Sequence, residues 1–242
     1  MNTKVKLRRL KALRSSFSSA PSEILHRKKK FGVSRCRVKI CGITNLRDAR
    51  AAAAAGADLL GFVFYKKSPR YIAPSKARRL ISRLPRTVRK VGVFVNEDKE
   101  CVKAVAASCG LDMVQFHGTE TPAYVNSFKG CGVVKAVRVR DRRSLEGLGR
   151  YRADFFLLDT FRRCRFGGTG ATFAWKVLAP LADKRKKIIV SGGLTPENVG
   201  GLLKVFRPYG VDVSSGVEKA PGRKDYKLVK RFIDAVKGFD GR

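Results

Sequence analysis

Histidine and acidic side chains are scarce in this chain, and long apolar runs are missing altogether. With only His26 and His117 as imidazoles, there is little material for a transition-metal site or a Ser/His/Asp triad. No CxxC pair or Cys/His cluster occurs, so no metal is expected. The six cysteines are irregularly spaced and no signal-peptide pattern precedes them, which points to reduced thiols rather than a disulfide framework. The richest apolar stretch, from Ala51 to Phe64, carries Asp58 and two glycines and is too short to span a bilayer. No membrane partner is expected.

Against 19 acidic residues stand 53 Lys and Arg, a net charge of +34. Such a balance permits non-specific polyanion binding as well as steering of an anionic substrate. The positive residues are scattered, which also fits a solvated surface, and the stacking aromatics and signatures of an RNA-binding module are missing.

At 242 residues and 44% apolar content the chain suits one large core. Residues 1–34 stand apart, with ten Lys and Arg, six serines and a single acid, Glu23. This composition fits an organelle transit peptide, a disordered basic arm, or a start codon placed too far upstream. The expectation is an extension over 1–34 and one domain over 35–242. The location follows as cytoplasmic or, after removal of a leader, plastid.

From Arg37 onward, short continuous apolar runs alternate with segments of helical period, as expected for parallel strands buried on both faces. The pattern recurs eight times. Strands are predicted at 38–41, 59–64, 90–95, 113–116, 133–139, 155–159, 188–191 and 211–214, with helices near 46–55, 75–84, 98–108, 121–128, 142–150, 173–182, 196–206 and 225–237. Helix-start signals are Asn45 with Asp48 three residues on, Pro74, and Pro196 as a first helical residue. Eight such units predict a single (β/α)8 TIM barrel; a doubly wound open sheet is the main alternative.

In a barrel the chemistry lies where strands end. Cys41 closes the first strand in KICGIT and fits either a base in the mouth or a buried inert thiol. Asp159 follows four apolar residues at the end of the sixth strand and suits a general acid or a carboxylate capping the next loop. Gly192 and Gly193 after strand seven, and Ser215 and Gly216 after strand eight, occupy the slots where barrels bind phosphate. Arg70, beyond strand two, offers a fork for a second anion or is simply solvated. His117, after strand four, is a substrate contact or a hydrogen-bonded structural histidine. The GGTG run at 167–170 is a mobile cover or a plain linker, with Phe173 and Trp175 anchoring the helix beyond it.

Taken in order, KICGIT at 39, GFVFYKKSPRYI at 61, VGVFVNE at 91, QFHG at 115, LLDT at 157, GGTG at 167, SGGLTPENV at 191 and VDVSSGVE at 211 resemble the phosphoribosylanthranilate isomerases of tryptophan biosynthesis. The resemblance spans about residues 37–237 and all eight units. It implies an Amadori rearrangement of a small anionic substrate, N-(5-phosphoribosyl)anthranilate, without metal or organic cofactor. It further implies Asp159 as the acid that opens the ribose ring, Cys41 as the base at C2′, Arg70 on the anthranilate carboxylate, and the two glycine segments on the phosphate. Ala171 and Ala174 depart from the pattern in the loop after strand six, as does the long N-terminal extension. A monomer and a homodimer both remain compatible with the sequence.

Overall fold

Each apolar run that the sequence offers becomes a strand. In the computed structural model, which describes residues 35–160 and 175–240, these are β1 (Arg37–Cys41), β2 (Leu59–Val63), β3 (Arg89–Phe94), β4 (Met113–Phe116), β5 (Gly132–Val139), β6 (Phe155–Thr160), β7 (Ile188–Ser191) and β8 (Gly210–Val213). They pair in sequence order, all parallel, and β8 returns to β1 through Arg37↔Gly210 to Ile40↔Val213. The barrel is closed, so none of these strands is left as an open edge.

Strand alternation divides the core in two. Outward residues such as Val38, Ile40, Leu60, Phe62, Val114 and Leu158 pack on helix residues including Ala49, Ala52, Leu80, Val102 and Phe232. Inward residues Leu59, Val91, Met113, Val134, Leu157 and Ile189 fill the barrel itself. Burying each such side chain stabilises the fold by roughly 1.5–3 kcal/mol. A one-residue slip of any strand would exchange the two sets, so the pattern also holds the register.

A second device fixes the bottom rim. Asp58, Asp112 and Asp154, each just before a strand, accept the backbone N–H of Val38, Lys90 and Val133 on the preceding strand, at 3.0, 2.8 and 2.8 Å. The strand pairs β1–β2, β3–β4 and β5–β6 are thereby each tied at their start by a carboxylate.

The helices are α1 (Leu46–Ala55), α2 (Pro74–Ile81), α3 (Lys99–Cys109), α4 (Pro122–Asn126), α5 (Val199–Val205) and α6 (Tyr226–Asp240). Asn45 caps α1 by accepting the Asp48 N–H at 2.9 Å, and Pro74 opens α2, both as expected. Three expectations fail for local reasons. Segment 142–150 forms two 3-10 turns, Arg143–Leu145 and Leu148–Arg150, because Gly147 between them is left-handed. The segment after β6 is a 3-10 helix, Trp175–Lys187, with Pro180 inside it, where a missing N–H blocks α-helical bonding. Pro196 lies in a turn instead of opening a helix, since the Asn198 side chain closes that turn by accepting from Thr195 N and donating to Gly193 O, both at 2.9 Å.

An antiparallel hairpin, β9 (Glu218–Ala220) and β10 (Arg223–Lys224), is inserted between β8 and α6. Helix α6 then packs against α1 and α5, closing the outer ring beside β1. Among the described residues no helix is long and apolar enough to cross a membrane. The extension 1–34 and the GGTG segment, with Ala171, Phe173 and Ala174, lie outside the described residues.

Candidate active site

Alternation that fills the barrel below changes character above. The inward positions nearest the strand ends are Cys41 on β1, Val63 on β2, Val93 on β3, Gln115 on β4, Arg138 on β5, Asp159 on β6, Ser191 on β7 and Asp212 on β8. They floor a cavity of about 580 Å³ at the C-terminal mouth. Thus the fold brings Cys41, His117, Asp159, Gly192, Gly193, Ser215 and Gly216 to one cleft.

Cys41 is buried, with only 8% of its surface exposed. Its neighbour on β2 is Gly61, where a Cβ would stand 2.6 Å from the Cys41 Sγ, so the absent side chain makes the thiol's space. Burial pushes the thiol up from its ordinary value of 9.0, opposed by the positive charges of Lys39 and Lys224 and reinforced by Asp212. Lys39, two residues earlier on the same inward face, places its Nζ 2.8 Å from Asp212 Oδ1, with both side chains almost fully buried. The Ser191 hydroxyl donates to the other Asp212 oxygen at 3.2 Å.

Asp159 stands between Arg138 and Ser191 in strand register. His117 Nε2 lies 3.3 Å from its Oδ2, while Gln115 Nε2 approaches His117 Nδ1 at 2.9 Å. With the Gln115 amide donating to Nδ1, the ring proton sits on Nε2 and points at the carboxylate. Among the described residues Gln115 Oε1 is buried and meets no partner.

The glycine segments form facing turns. Gly192 and Gly193 have φ of 90° and 64°, the left-handed region that glycine enters freely. A Cβ on Gly216 would collide with the Leu194 carbonyl, so the turns after β7 and β8 touch backbone to backbone. The α-helices that follow these turns start some way beyond them, at Val199 and Tyr226. The turn after β8 leads into a single 3-10 turn, Ser215–Val217, and the next α-helix, α6, begins only at Tyr226.

Arg70 is close to the cleft but engaged elsewhere. Its Nε lies 3.0 Å from both carboxylate oxygens of Glu218 and its Nη2 2.6 Å from Oε2, while Lys224 Nζ holds the same carboxylate at 2.8 Å. These two cations outweigh burial and keep Glu218 below the ordinary carboxylate value. Trp175, expected to anchor the helix after β6, begins the 3-10 helix there and lies against Gly201 of α5.

Sequence reasoning overlooked Lys39, Asp212, Gln115 and Glu218. A signal existed for the first two: each is an isolated charge inside an apolar strand run, VKI and VDV, where it has to meet a partner within the barrel. Glu218 carried no such mark, because its pairing with Arg70 joins segments 148 residues apart.

A closed eight-stranded β/α barrel with a buried thiol, a carboxylate and two facing glycine turns at its C-terminal mouth belongs to the class of barrels whose chemistry lies in the βα loops. Comparison with known proteins sharpens this. The family model described as N-(5'phosphoribosyl)anthranilate (PRA) isomerase matches residues 38–235. An N-(5'-phosphoribosyl)anthranilate isomerase of Rubrobacter xylanophilus is 50% identical over 204 residues, 83% of this chain and 98% of the relative. A phosphoribosyl anthranilate isomerase solved in complex with reduced 1-(o-carboxyphenylamino)-1-deoxyribulose 5-phosphate is 46% identical, with a TM-score of 0.77 over 84% of this chain and 99% of that one. Monomers of the dimeric Thermotoga maritima enzyme superpose with a TM-score of 0.76 at 46% identity, over 84% of this chain and 99% of theirs. The chain belongs to the phosphoribosylanthranilate isomerase family.

Proposed function

We propose that the chain isomerises N-(5-phospho-β-D-ribosyl)anthranilate to 1-(2-carboxyphenylamino)-1-deoxy-D-ribulose 5-phosphate in tryptophan biosynthesis, with Asp159 as acid and Cys41 as base. The observation that carries this reading is the shared cleft: a carboxylate on β6 and a thiol on β1, with the glycine turns of β7 and β8 between them on the rim.

The chemistry needs two different groups. Asp159 gives a proton to the ring oxygen, the C1′–O bond breaks, and the anthranilate nitrogen becomes an iminium. Cys41 as thiolate then takes the C2′ proton and leaves an enolamine. Return of that proton to C1′ and loss of the enol proton to Asp159 gives the ketone and restores both groups. His117 donates to the Asp159 carboxylate and so stabilises it once its proton has left. No step calls for a metal or an organic cofactor.

Backbone N–H groups at Gly192, Gly193, Ser215 and Gly216 suit the phosphate. The N–H groups of Arg70 not engaged by Glu218 suit the anthranilate carboxylate, which would fix the reacting carbons between two anion anchors. The dimeric state of the Thermotoga protein supports a homodimer here; a monomer mass by sedimentation equilibrium would refute it. The test of the reaction is incubation of the purified chain with phosphoribosylanthranilate, following loss of substrate fluorescence and matching the product by chromatography. Unchanged substrate refutes the assignment.

A further inference from the structure

At the level of Leu59, Leu157 and Ile189 the barrel interior is apolar, yet one position in the same interior holds a lysine and another an aspartate. Lys39 and Asp212 are 1% and 5% exposed and face each other across the β1–β8 register. A buried ion pair adds little stability over apolar residues of like volume, because desolvating both charges offsets their attraction. Filling the barrel therefore does not explain it.

Position does. Lys39 and Cys41 are two residues apart on one strand, so both point inward on adjacent levels, and the ammonium interacts with the thiol as well as with Asp212. Asp212 is drawn toward β7 by the Ser191 hydroxyl on its second oxygen. The pair is neutral in sum but leaves its positive end on the strand that carries the thiol.

Among the described residues, few other groups surround Cys41. Lys224 of β10 adds positive charge, with its Nζ on Glu218 and on the Ser214 carbonyl. Arg70 lays its stem against Gly42 while its guanidinium is neutralised by Glu218. Among the described residues, Gly61, Val63 and Val93 of β2 and β3 surround the thiol, with the Tyr65 ring beyond β2 packed against the same cluster.

We infer that Lys39 is a positioning residue for the base: its ammonium, oriented by Asp212 and Ser191, sets positive charge beside the Cys41 thiol on the same inward face of β1. The inference rests on the role proposed for Cys41 but reads out independently of it. Without Lys39, burial acts on the thiol unopposed from its own strand. Without the Asp212 charge, the lysine acts unopposed instead. The two substitutions should move the same thiol in opposite directions, which loss of structure alone does not do.

The experiment is iodoacetamide alkylation of the full-length protein from about pH 6.5 to about pH 11.5, a window that spans the ordinary thiol range and the upward shift expected, read by mass spectrometry on the peptide containing Cys41. Lys39→Met should shift the alkylation midpoint upward by about one unit or more, and Asp212→Asn should shift it downward. Lys39→Arg should return the midpoint toward wild type. Should Lys39→Met fold poorly, Lys39→Arg and Asp212→Asn still carry the test. Midpoints that stay put, or move the same way in both charge-removing variants, overturn the inference. Because alkylation reports the thiol directly, it decides the role of Lys39 even where turnover shows that another group is the base.

Discussion

His117 reaches from the end of β4 to the Asp159 carboxylate on β6, its Nε2 3.3 Å from Oδ2, with Gln115 fixing the far side of the ring. The histidine therefore meets the proposed acid directly. His117→Asn should lower kcat about 10- to 100-fold with a smaller change in KM, because the lost hydrogen bond matters most once Asp159 has released its proton. Steady-state kinetics over pH 5.5–9 check this. A change confined to KM would instead mark His117 as a binding contact alone.

Gly61 leaves the room that Cys41 occupies, since a Cβ there would lie 2.6 Å from the sulfur. Gly61→Ala should cost about 1–3 kcal/mol in denaturant unfolding and also reduce kcat by displacing the thiol. Unaltered turnover in a stable variant would show that the thiol's placement is not critical.

Lys135 and Glu120 form a buried pair at 2.7 Å, and Glu120 also accepts the backbone N–H of Asn96 and of Gly118. Burial works against the Glu120 carboxylate, but these donors together hold it below its ordinary value of 4.5. A carboxylate lowered in the fold contributes stability that is fully present above pH 4.5 and is lost as pH falls through the folded value. Lys135→Met, which leaves Glu120 buried without its partner, should destabilise the protein by about 3–5 kcal/mol at pH 7. The deficit should shrink on acidification below pH 4.5, as thermal melts across pH 3–7 would show.

With a net charge of +34 and an anionic substrate, kcat/KM should fall as salt rises while kcat stays nearly constant. Deleting residues 1–34 should leave turnover intact, because every proposed site residue lies beyond them. A soluble, inactive truncation would contradict this.

The order of elements was legible because continuous apolar runs such as FFLL before Asp159 leave few options besides a strand buried on both faces. The closing of the barrel followed from repetition of that unit. The helices expected near 142–150 and 173–182 give way to 3-10 turns and to the 3-10 helix Trp175–Lys187, because helical apolar spacing outlasts a left-handed Gly147 and an internal Pro180, which break α-helical bonding without breaking the pattern. At the site, strand-end residues were visible by position alone. Partners such as Glu218 to Arg70 and Asp212 to Lys39 were not, since they depend on which distant strands become neighbours.

The proposed reaction divides its labour between Asp159 as acid and Cys41 as base. Its most direct measurement is fluorescence-monitored turnover of phosphoribosylanthranilate by wild type, Cys41→Ser and Asp159→Asn, each first shown to be folded by circular dichroism. Loss of at least about 100-fold in kcat in both variants is the predicted result. Near-wild-type turnover in either one would contradict the assignment of that residue to the chemical step.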